Sequence, residues 1–472
     1  MDPALIPNQF YSFGAKRTLE TFPWLDNWIY ASPNYCLNSA GNPCVHGDGV
    51  ATWRWNREAQ AAINQPGDFS QATAGFQPIY RTDRKFPYVR FDGTDDFLRH
   101  ASAQVGVSGG GCLAVAARWL GSATRTPFAS CDEAGTAYGW YILDAGASPK
   151  IDLRFDNNQA TDDRYAVFDT ICSQRNYDGI WYFIGDGADW LCRSGDVVRP
   201  TAIVTGVDTG LMWGGVDNRD NWSLGCLYNS GGASSFCNFD LFEAIWLPTW
   251  TAERFAVIQQ YFRTKYRYRT IAHLGDSWAA DGGYGVEVRQ ALSDDWIIVH
   301  DHGVGSETIS QIGARFDSNV DNKGYDLVIV EGAINDLKGV AAGGHVAVFT
   351  EFKRICDGVL ADGSKLVACN CGPFGNNNQW SQTRQDETAA YNVKVRNYCE
   401  AKGVAFIDLY EFARNKDLAE QSGTINSSAA GQPYAFRPAW ELAGGLHFNA
   451  VGDAYIARYI AEVVRKQLNS GA

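Results

Sequence analysis

The sequence predicts a multidomain protein in which an antiparallel β-sandwich is followed by an α/β domain with a doubly wound parallel sheet. Through the first half of the chain, short aromatic segments alternate with Gly, Asp and Asn, without a long helical pattern. Short strand-like segments separated by turn residues are typical of antiparallel sheets. Beyond residue 270, apolar segments of strand length alternate with segments of helical periodicity. That alternation favours a parallel sheet covered by helices.

Length and charge narrow the class of protein. The chain has 472 residues, enough for two or three domains, and a net charge of −13. This charge argues against nucleic acid or an anionic membrane as a partner, because both require basic patches. There is no apolar run long enough for a transmembrane helix, and the N-terminus shows no signal-peptide pattern.

The cysteines leave two interpretations open. The chain has 12 cysteines, eight before residue 240 and four after it. Even counts suggest disulfide bonds and an extracellular working place. Buried free thiols are an equal alternative, because cysteine packs as a small apolar residue. A zinc site is disfavoured, since no CxxC pair exists and Cys369-Asn-Cys371 lies within an apolar strand. We therefore predict no metal.

The first half of the chain divides into an arm and a sandwich. Residues 1–20 read as an irregular N-terminal arm, and residues 21–266 as the sandwich domain. Its clearest strand patterns are Phe86–Gly93, Gly111–Trp119, Tyr138–Leu143, Ile151–Phe155, Ile180–Ile184 and Phe239–Leu247.

A single helix is expected to close the sandwich domain. Thr251 has the character of an N-cap, and Phe255, Ile258 and Phe262 follow at helical spacing. We expect these three side chains to face the sandwich core.

Three of these segments carry a family resemblance. Phe91-Asp-Gly-Thr-Asp-Asp-Phe97, the Glu243-Ala-Ile-Trp246 strand and the closing helix resemble the concanavalin A-like, laminin-G-like jelly-roll family. The resemblance covers about residues 25–266. It implies a two-sheet jelly roll, frequently a carbohydrate-binding module and sometimes a calcium site. A purely architectural domain is the alternative.

Residues 267–472 are predicted to form the α/β domain. Its helices are expected from Ser306 onward and over Ala347–Leu360, and Gly403 fits a helix C-cap. The five predicted parallel strands are Thr270–Leu274, Trp296–His300, Tyr325–Val330, Lys365–Cys371 and Val404–Tyr410.

Polar residues follow the predicted strands where a doubly wound sheet binds its ligands. Ser277 follows the first strand in a Gly-Asp-Ser turn, and Gly305 lies in a glycine-bearing loop after the second. Ser306, next to it, could cap the following helix. Asn335 follows the third strand, and His447 precedes the last helix. A serine, a histidine and neutral N–H donors at one sheet edge are the groups that acyl transfer requires.

Together these blocks resemble the SGNH, or GDSL-type, hydrolase family over about residues 268–470. The resemblance implies a flavodoxin-like SGNH fold, with Ser277 as nucleophile and His447 as general base. It implies an oxyanion hole made by the Ser277 backbone N–H, the Gly305 backbone N–H and the Asn335 side chain. Ser306 could replace Gly305, because the loop alignment is uncertain by one residue. No cofactor is implied.

The chain departs from the family pattern three residues before the histidine. The family has an aspartate there to orient the imidazole, and this chain has Gly444. In another Ser/His/Asp enzyme, disabling that carboxylate lowers the rate about ten-thousandfold. Glu441 is the nearest acidic candidate for the role. Otherwise a backbone carbonyl would have to orient His447.

Two functions follow as hypotheses. The first is a serine esterase that removes acyl groups, most plausibly acetyl, from a polysaccharide held by the jelly-roll module. The second is a structural or adhesive protein of a phage particle or cell surface that retains the SGNH fold with little or no catalysis. Both imply an extracellular or virion-associated location, and assembly into a homo-oligomer or virion is open. A lipase is disfavoured, because no apolar lid is evident.

Overall fold

A computed structural model describes most of the chain as two compact units. The described residues are 28–54, 68–100, 110–120, 124–131, 138–145, 151–157, 164–168, 178–199, 201–203, 220–229, 232–247, 249–280, 283–373, 381–413 and 447–470. The second unit comprises residues from 266 onward with the segments 176–179 and 194–198, and the first comprises the rest. No described helix combines the length and apolarity that crossing a membrane would take. The predicted arm over residues 1–20 lies outside the described residues.

The first unit is built from antiparallel sheets. One sheet has eight strands and is centred on β20, which runs antiparallel to β1, β6 and β8. A second sheet has ten strands, among them β10, which runs antiparallel to β9 and β11. In chain order the strands are β1 (Trp28–Tyr30), β2 (Cys36–Leu37), β3 (Thr52–Trp53), β4 (Phe69–Ser70), β5 (Ile79–Arg81), β6 (Tyr88–Asp92), β7 (Leu98–His100), β8 (Gly111–Trp119), β9 (Thr124–Cys131), β10 (Tyr138–Ala145), β11 (Ile151–Asn157), β12 (Arg164–Phe168), β13 (Asp178–Gly185), β14 (Trp190–Ser194), β15 (Val197–Arg199), β16 (Thr201–Ile203), β17 (Asn221–Leu224), β18 (Leu227–Asn229), β19 (Gly232–Ser234) and β20 (Asn238–Leu247).

Aromatic rings join the two large sheets in one core. Phe239 of β20 stacks on Phe91 of β6, with ring centroids 4.7 Å apart. Phe128 of β9, in the other sheet, packs edge-on against Phe239 at 5.9 Å. Trp222 of β17 meets Trp246 of β20 at 6.0 Å. Offset and edge-to-face contacts of this kind add to the large apolar area that each ring buries. The predicted antiparallel β-structure is confirmed, and its jelly-roll topology stays a prediction.

Helix α1 (Ala252–Tyr266) closes the first unit as predicted. The Thr251 hydroxyl accepts the Arg254 N–H at 3.2 Å, which satisfies one amide of the first turn. Phe255 and Phe262 contact the Tyr182 ring at 5.1 and 6.1 Å, and Ile258 is fully buried. The N-cap and the apolar face expected from the sequence are both confirmed.

A buried carboxylate links α1 to the sheet. Glu243 of β20 is fully buried and accepts hydrogen bonds from the Tyr261 hydroxyl and the Lys265 ammonium, both at 2.7 Å. The indole N–H of Trp28 also donates to it. A buried carboxylate is tolerated only when donors and an opposite charge surround it, so these contacts fix where α1 lies on β20.

The second unit is an α/β fold with the predicted five-stranded parallel sheet. Its strands are β21 (Arg269–Gly275), β22 (Ile297–Gly303), β23 (Leu327–Val330), β24 (Lys365–Cys369) and β25 (Ala405–Ile407). They lie in the order β22-β21-β23-β24-β25, and every neighbouring pair is parallel. The flanking helices are α2 (Gly285–Ser293), α3 (Ile309–Arg315), α4 (Ile334–Leu337), α5 (His345–Ala361), α6 (Gln382–Lys402), α7 (Leu409–Ala413) and α8 (Ala450–Asn469), with a π-helical turn at Phe316–Val320.

This strand order determines where a ligand site can form. The order reverses between β21 and β23, because the chain moves from β21 outward to β22 and then returns to the other side. Loops that leave neighbouring strands at such a switch point separate, and a crevice opens at the carboxyl ends. Ser277 and Asn335 follow the two strands on either side of that point.

Local capping agrees with the sequence at one helix and differs at another. Gly403 ends α6 with a φ of 66°, as predicted for a glycine C-cap. The N-cap of α3 is Thr308, whose side chain forms a reciprocal capping box with Gln311, and not Ser306. Ser306 has a φ of 67°, whereas an N-cap requires extended backbone, so it cannot take this role.

The prediction of disulfide bonds is wrong for the described cysteines. All 11 of them are buried free thiols, and Cys172 lies outside the described residues. Burial raises the pKa of Cys44 and of Cys399 to about 12. Such thiols are neutral at physiological pH and contribute through packing.

Replacing Lys265 with Met should destabilise the first unit by about 3 kcal/mol, because Glu243 would remain buried without its cation. Adding Glu243→Gln to this variant should recover part of the loss, since no uncompensated charge is left. Urea unfolding followed by tryptophan fluorescence measures both effects.

The matched control is Lys402→Met. Lys402 pairs with Asp357 at 3.3 Å, but the two side chains are 48% and 34% exposed. Its loss should cost less than about 1 kcal/mol. Equal effects of the two substitutions would contradict the role given to the buried pair.

Candidate active site

The nucleophile candidate and the base candidate meet at the sheet edge. Strand β21 ends at Gly275, and Ser277 follows in the next turn. The Ser277 Oγ lies 2.9 Å from Nε2 of His447, although the two residues are 170 positions apart in sequence. His447 is held just before α8, where the Asn449 side chain accepts the Val451 and Gly452 N–H groups at 3.0 and 3.1 Å. A serine hydroxyl can therefore donate directly to an imidazole.

A buried carboxyl group supports the Ser277 turn. Glu331, which directly follows β23, accepts the Asp276 N–H at 2.9 Å and also receives a backbone hydrogen bond from Ala279. A Cβ atom on Gly275 would lie 2.0 Å from Oε1 of Glu331. The glycine of the Gly-Asp-Ser turn is thus required by the close approach of this carboxyl group.

Backbone amides without partners lie beside the serine. A Cβ atom at Gly305 would be 3.9 Å from Cβ of Ser277, so the loop after β22 approaches the nucleophile here. Within the described residues, no acceptor is hydrogen-bonded to the N–H of Ser277 or of Gly305. Ser306, the alternative to Gly305, is exposed. Free amides next to a nucleophile are the groups that stabilise an oxyanion.

Asn335 lies in α4 and is fixed by two hydrogen bonds. Its Nδ2 donates to the Glu307 carbonyl at 3.0 Å, and its Oδ1 accepts from the Lys338 ammonium at 2.7 Å. Ala333, just before α4, adopts a left-handed conformation with a φ of 82°. Only a few per cent of non-glycine residues adopt such a φ, and glycine would adopt it without a steric penalty.

Arg315 ties the Ser277 turn to the loop that carries Gly305. Its Nε donates to the Glu307 carboxylate at 2.7 Å and its Nη2 to the Gly275 carbonyl at 2.8 Å. Its Nη1 donates to the His302 carbonyl. The guanidinium therefore holds the ends of β21 and β22 together through its fixed fork of donors.

Burial sets the ionisation of the groups around Ser277. It lowers the pKa of His447, and the nearby Lys338 charge lowers it further. Burial raises the pKa of Asp276 to about 7, and burial together with Asp276 raises the pKa of Glu331 well above its usual range. The imidazole thus favours its neutral form, while the two buried carboxyl groups favour protonation.

The group that would orient the imidazole is not among the described residues. Nδ1 of His447 has no hydrogen-bond partner there. Glu441 and Gly444, the two positions singled out from the sequence, both lie outside the described residues.

The remaining histidines of the second unit's sheet are not at the site. His300 and His302 each contact the Tyr325 hydroxyl at 3.0 Å, inside the fold. His273 is fully buried within β21.

Sequence reasoning did not assign roles to Glu331, Arg315 or Lys338. Glu331 could have been suspected, because it is an acidic residue at the end of an apolar strand. Lys338 lies three residues after Asn335 in a helical segment, a spacing at which side chains meet. Arg315 gave no signal, because its acceptors, the Glu307 carboxylate and two backbone carbonyls, lie in other parts of the unit.

The described residues offer one set of ligand atoms close enough for a metal ion. Asp92, Asp95 and Asp96 of the first unit place these atoms within 4.8 Å of one another. Backbone N–H groups of Thr94 and Asp92 already donate to Asp92 and Asp96 at 2.7 and 2.9 Å. No such set lies at Ser277 among the described residues.

Residues 271–455 match the model of the GDSL-like lipase/acylhydrolase family. The match supports assignment of the C-terminal unit to the GDSL/SGNH acylhydrolases and does not extend to the N-terminal unit. Comparison with curated protein sequences gave no match.

Solved structures with partial similarity include three esterases or lipases. A GDSL-like lipase from Bacteroides thetaiotaomicron is 14% identical, and the alignment covers 45% of this chain and 98% of that one with a TM-score of 0.34. An acetyl xylan esterase is 17% identical, with 41% and 99% covered and a TM-score of 0.34. A variant of an acetyl-xylooligosaccharide esterase from Geobacillus is 14% identical, with 43% and 94% covered and a TM-score of 0.33.

Asp276→Asn should weaken the pH dependence of stability. The Asp276 pKa is 3.8 in its usual state and about 7 in the fold. Between about pH 4 and 7 the folded state therefore holds more protons than the unfolded state, so stability falls as pH rises through this window. Asparagine takes no proton and can still accept the Trp278 N–H that now reaches Asp276 at 3.1 Å.

Urea unfolding at pH 5, 6, 7 and 8 measures this slope. The slope should decrease in Asp276→Asn without vanishing, because burial also raises the pKa of Asp453 to about 7. The control Asp386→Asn, at an exposed position, should keep the wild-type slope. An unchanged slope in Asp276→Asn would show that this carboxyl group titrates normally.

Proposed function

We propose that the protein is a serine esterase in which Ser277 and His447 act on an acyl ester. The 2.9 Å approach of Ser277 Oγ to His447 Nε2, beside backbone amides that have no partner among the described residues, carries the proposal. The family match over residues 271–455 supports it. No cofactor is required.

In the first half of the reaction, His447 removes the hydroxyl proton as Ser277 Oγ attacks the ester carbonyl carbon. The carbonyl oxygen becomes an oxyanion, stabilised by the Ser277 and Gly305 N–H groups and by the Asn335 side chain. A single donor of this kind is typically worth about 3 kcal/mol in the transition state. The imidazolium then protonates the leaving alcohol, and an acyl-enzyme remains.

In the second half, water takes the place of the alcohol. His447 removes a proton from this water, whose oxygen attacks the acyl carbon, and the same donors hold the new oxyanion. Collapse of the intermediate returns the proton to Ser277 Oγ and releases the acid. The lowered pKa of His447 favours both halves, because only the neutral imidazole is a base.

The proposed substrate is an acetyl or other acyl ester on a polysaccharide, with the N-terminal unit as a jelly-roll, carbohydrate-binding module. The support is an aromatic surface cluster in that unit. Phe97 lies 6.3 Å from Phe76, 5.9 Å from Tyr228 and 6.3 Å from Phe236. Phe76 is 40% exposed and the others are half-buried. Accessible rings of this kind offer flat apolar faces to a sugar ring.

The second candidate is a structural or adhesive protein of a phage particle or cell surface. The observation that favours it is Gly444, together with the absence of a partner for Nδ1 of His447 among the described residues. An imidazole without an orienting group can hold the wrong tautomer. An extracellular or virion-associated location would suit either function.

Ser277→Ala should abolish release of p-nitrophenol from p-nitrophenyl acetate and of acetate from an acetylated polysaccharide. The reason is that no other hydroxyl is hydrogen-bonded to His447 in the described residues. The control Ser310→Ala, at an exposed position of α3, should keep full activity.

A fluorophosphonate probe should label the wild type at Ser277. Absent labelling combined with stable particle or oligomer assembly would favour the structural function instead.

Glu441→Gln should lower kcat by about 100-fold or more if Glu441 orients His447, because the imidazole would lose the carboxylate that selects its tautomer. Glu462→Gln, at an exposed position of α8, is the matched control. Equal kcat values for Glu441→Gln and wild type would mean that a backbone carbonyl or another group takes the role.

A further inference from the structure

Lys338 is a charged residue at the site to which the esterase mechanism has so far given no task. It follows α4 directly and is half-buried. Its ammonium donates to Oδ1 of Asn335 at 2.7 Å. No carboxylate lies within 4 Å of this ammonium among the described residues, so its close contact is with the amide.

The two neighbours of Asn335 permit one orientation of its amide. Oδ1 faces an ammonium, which only donates, and Nδ2 faces the Glu307 carbonyl, which only accepts. Rotation of the amide by half a turn would place donor against donor and acceptor against acceptor. Because Nδ2 carries two hydrogens and Glu307 takes one, the other remains for a substrate oxygen.

The ammonium also strengthens that remaining donor. A hydrogen bond from a cation is stronger than a neutral one, and hydrogen bonds in series polarise one another. Charge drawn towards Oδ1 leaves the Nδ2 hydrogens more positive, which favours an oxyanion over a neutral carbonyl oxygen.

The charge of Lys338 also acts on three ionisable groups of the site. Asp276 in the nucleophile turn, Asp336 in α4 and His447 before α8 are all affected by it electrostatically. Arg315 is the other cation that acts on Asp276. For His447, Lys338 is the charged group that matters among the described residues.

We propose that Lys338 is a positioning residue that locks the Asn335 amide as an oxyanion donor. Its positive charge, which also acts on His447, adds an electrostatic role to this positioning. This inference rests on the proposed esterase function. It assigns Lys338 no contact with the reacting atoms.

The decisive variants are Lys338→Met, which removes charge and donor, and Lys338→Arg, which retains both. Lys323→Met, at an exposed position of the same unit, is the control. With p-nitrophenyl acetate, Lys338→Met should lower kcat between 10-fold and 100-fold, a part of the loss expected for a whole oxyanion donor. The decline of kcat/KM at acidic pH (the acid limb of the pH profile), which reports protonation of His447, should move to higher pH. Lys338→Arg should restore most of kcat and the wild-type acid limb.

A double-mutant cycle separates the two effects. In an Asn335→Ala background, adding Lys338→Met should lower kcat by less than about threefold, because the lysine acts through the missing amide. The shift of the acid limb should persist there, because it depends on charge alone. Full additivity in kcat would overturn the positioning role.

A measurement without turnover keeps the inference distinct from the proposed function. NMR titration of 13C-labelled histidine, assigned with His447→Gln, should give a higher His447 pKa in Lys338→Met than in wild type. An unchanged pKa would overturn the electrostatic role even in an active enzyme. A raised pKa in a protein that hydrolyses no ester would refute the esterase and retain the electrostatic role.

The kinetics offer one further outcome. If Lys338→Met only raised KM for negatively charged esters and left kcat and its pH dependence unchanged, Lys338 would be a substrate-binding residue and the proposal would be overturned.

Discussion

One buried carboxyl group holds the backbone on both sides of Ser277. Glu331 binds the amides of Asp276 and Ala279 and leaves no space for a side chain at Gly275. Because Glu331 directly follows β23, this contact fixes the turn after β21 relative to the neighbouring strand. Asn335 comes four positions later, so Ser277 and the proposed side-chain donor are fixed by the same element. Without Glu331, two buried N–H groups would lack an acceptor, at a cost of about 1–3 kcal/mol each.

The buried carboxyl groups and the proposed base at this site require opposite protonation states. The buried carboxyl groups of Asp276 and Glu331 are most compatible with the fold when protonated, and the Asp276 pKa of about 7 means that stability declines towards neutral pH. The proposed base must be unprotonated. Burial and the Lys338 charge lower the pKa of His447, so the imidazole becomes neutral while a buried carboxyl group still holds its proton. Both conditions can therefore be met together, because the same burial moves acid and base in opposite directions.

The sequence predicted the parallel sheet well, because each buried strand is a nearly continuous apolar run and the loops after such strands meet at one edge. The same reasoning singled out Ser277, Asn335 and His447, and the structure brings Ser277 and His447 together.

Features that depend on conformation or on distant contacts were missed or predicted wrongly. Ser306 was predicted to cap the following helix, whereas Thr308, three residues before Gln311, has the capping-box pattern, and the φ of 67° at Ser306 excludes it from the role. Even cysteine counts suggested disulfides, yet counts contain no information on which side chains meet. An acidic residue at the end of an apolar strand draws attention to Glu331, but nothing local indicates which groups Glu331 or Arg315 contacts, because these contacts join different strands.

The two halves of the proposed catalytic apparatus differ in what fixes them. The oxyanion donors are held by an unbroken series of contacts from the Gly275 carbonyl through Arg315 and Glu307 to Asn335. None of these contacts involves the imidazole or whatever orients it. An imprecise His447 would therefore slow proton transfer and leave the stabilisation of the oxyanion intact. In a related catalytic arrangement, oxyanion donors and substrate binding alone retain about 10³–10⁴-fold acceleration. The glycine at position 444 consequently bears on the rate of the proposed esterase more than on the kind of reaction that this site can perform.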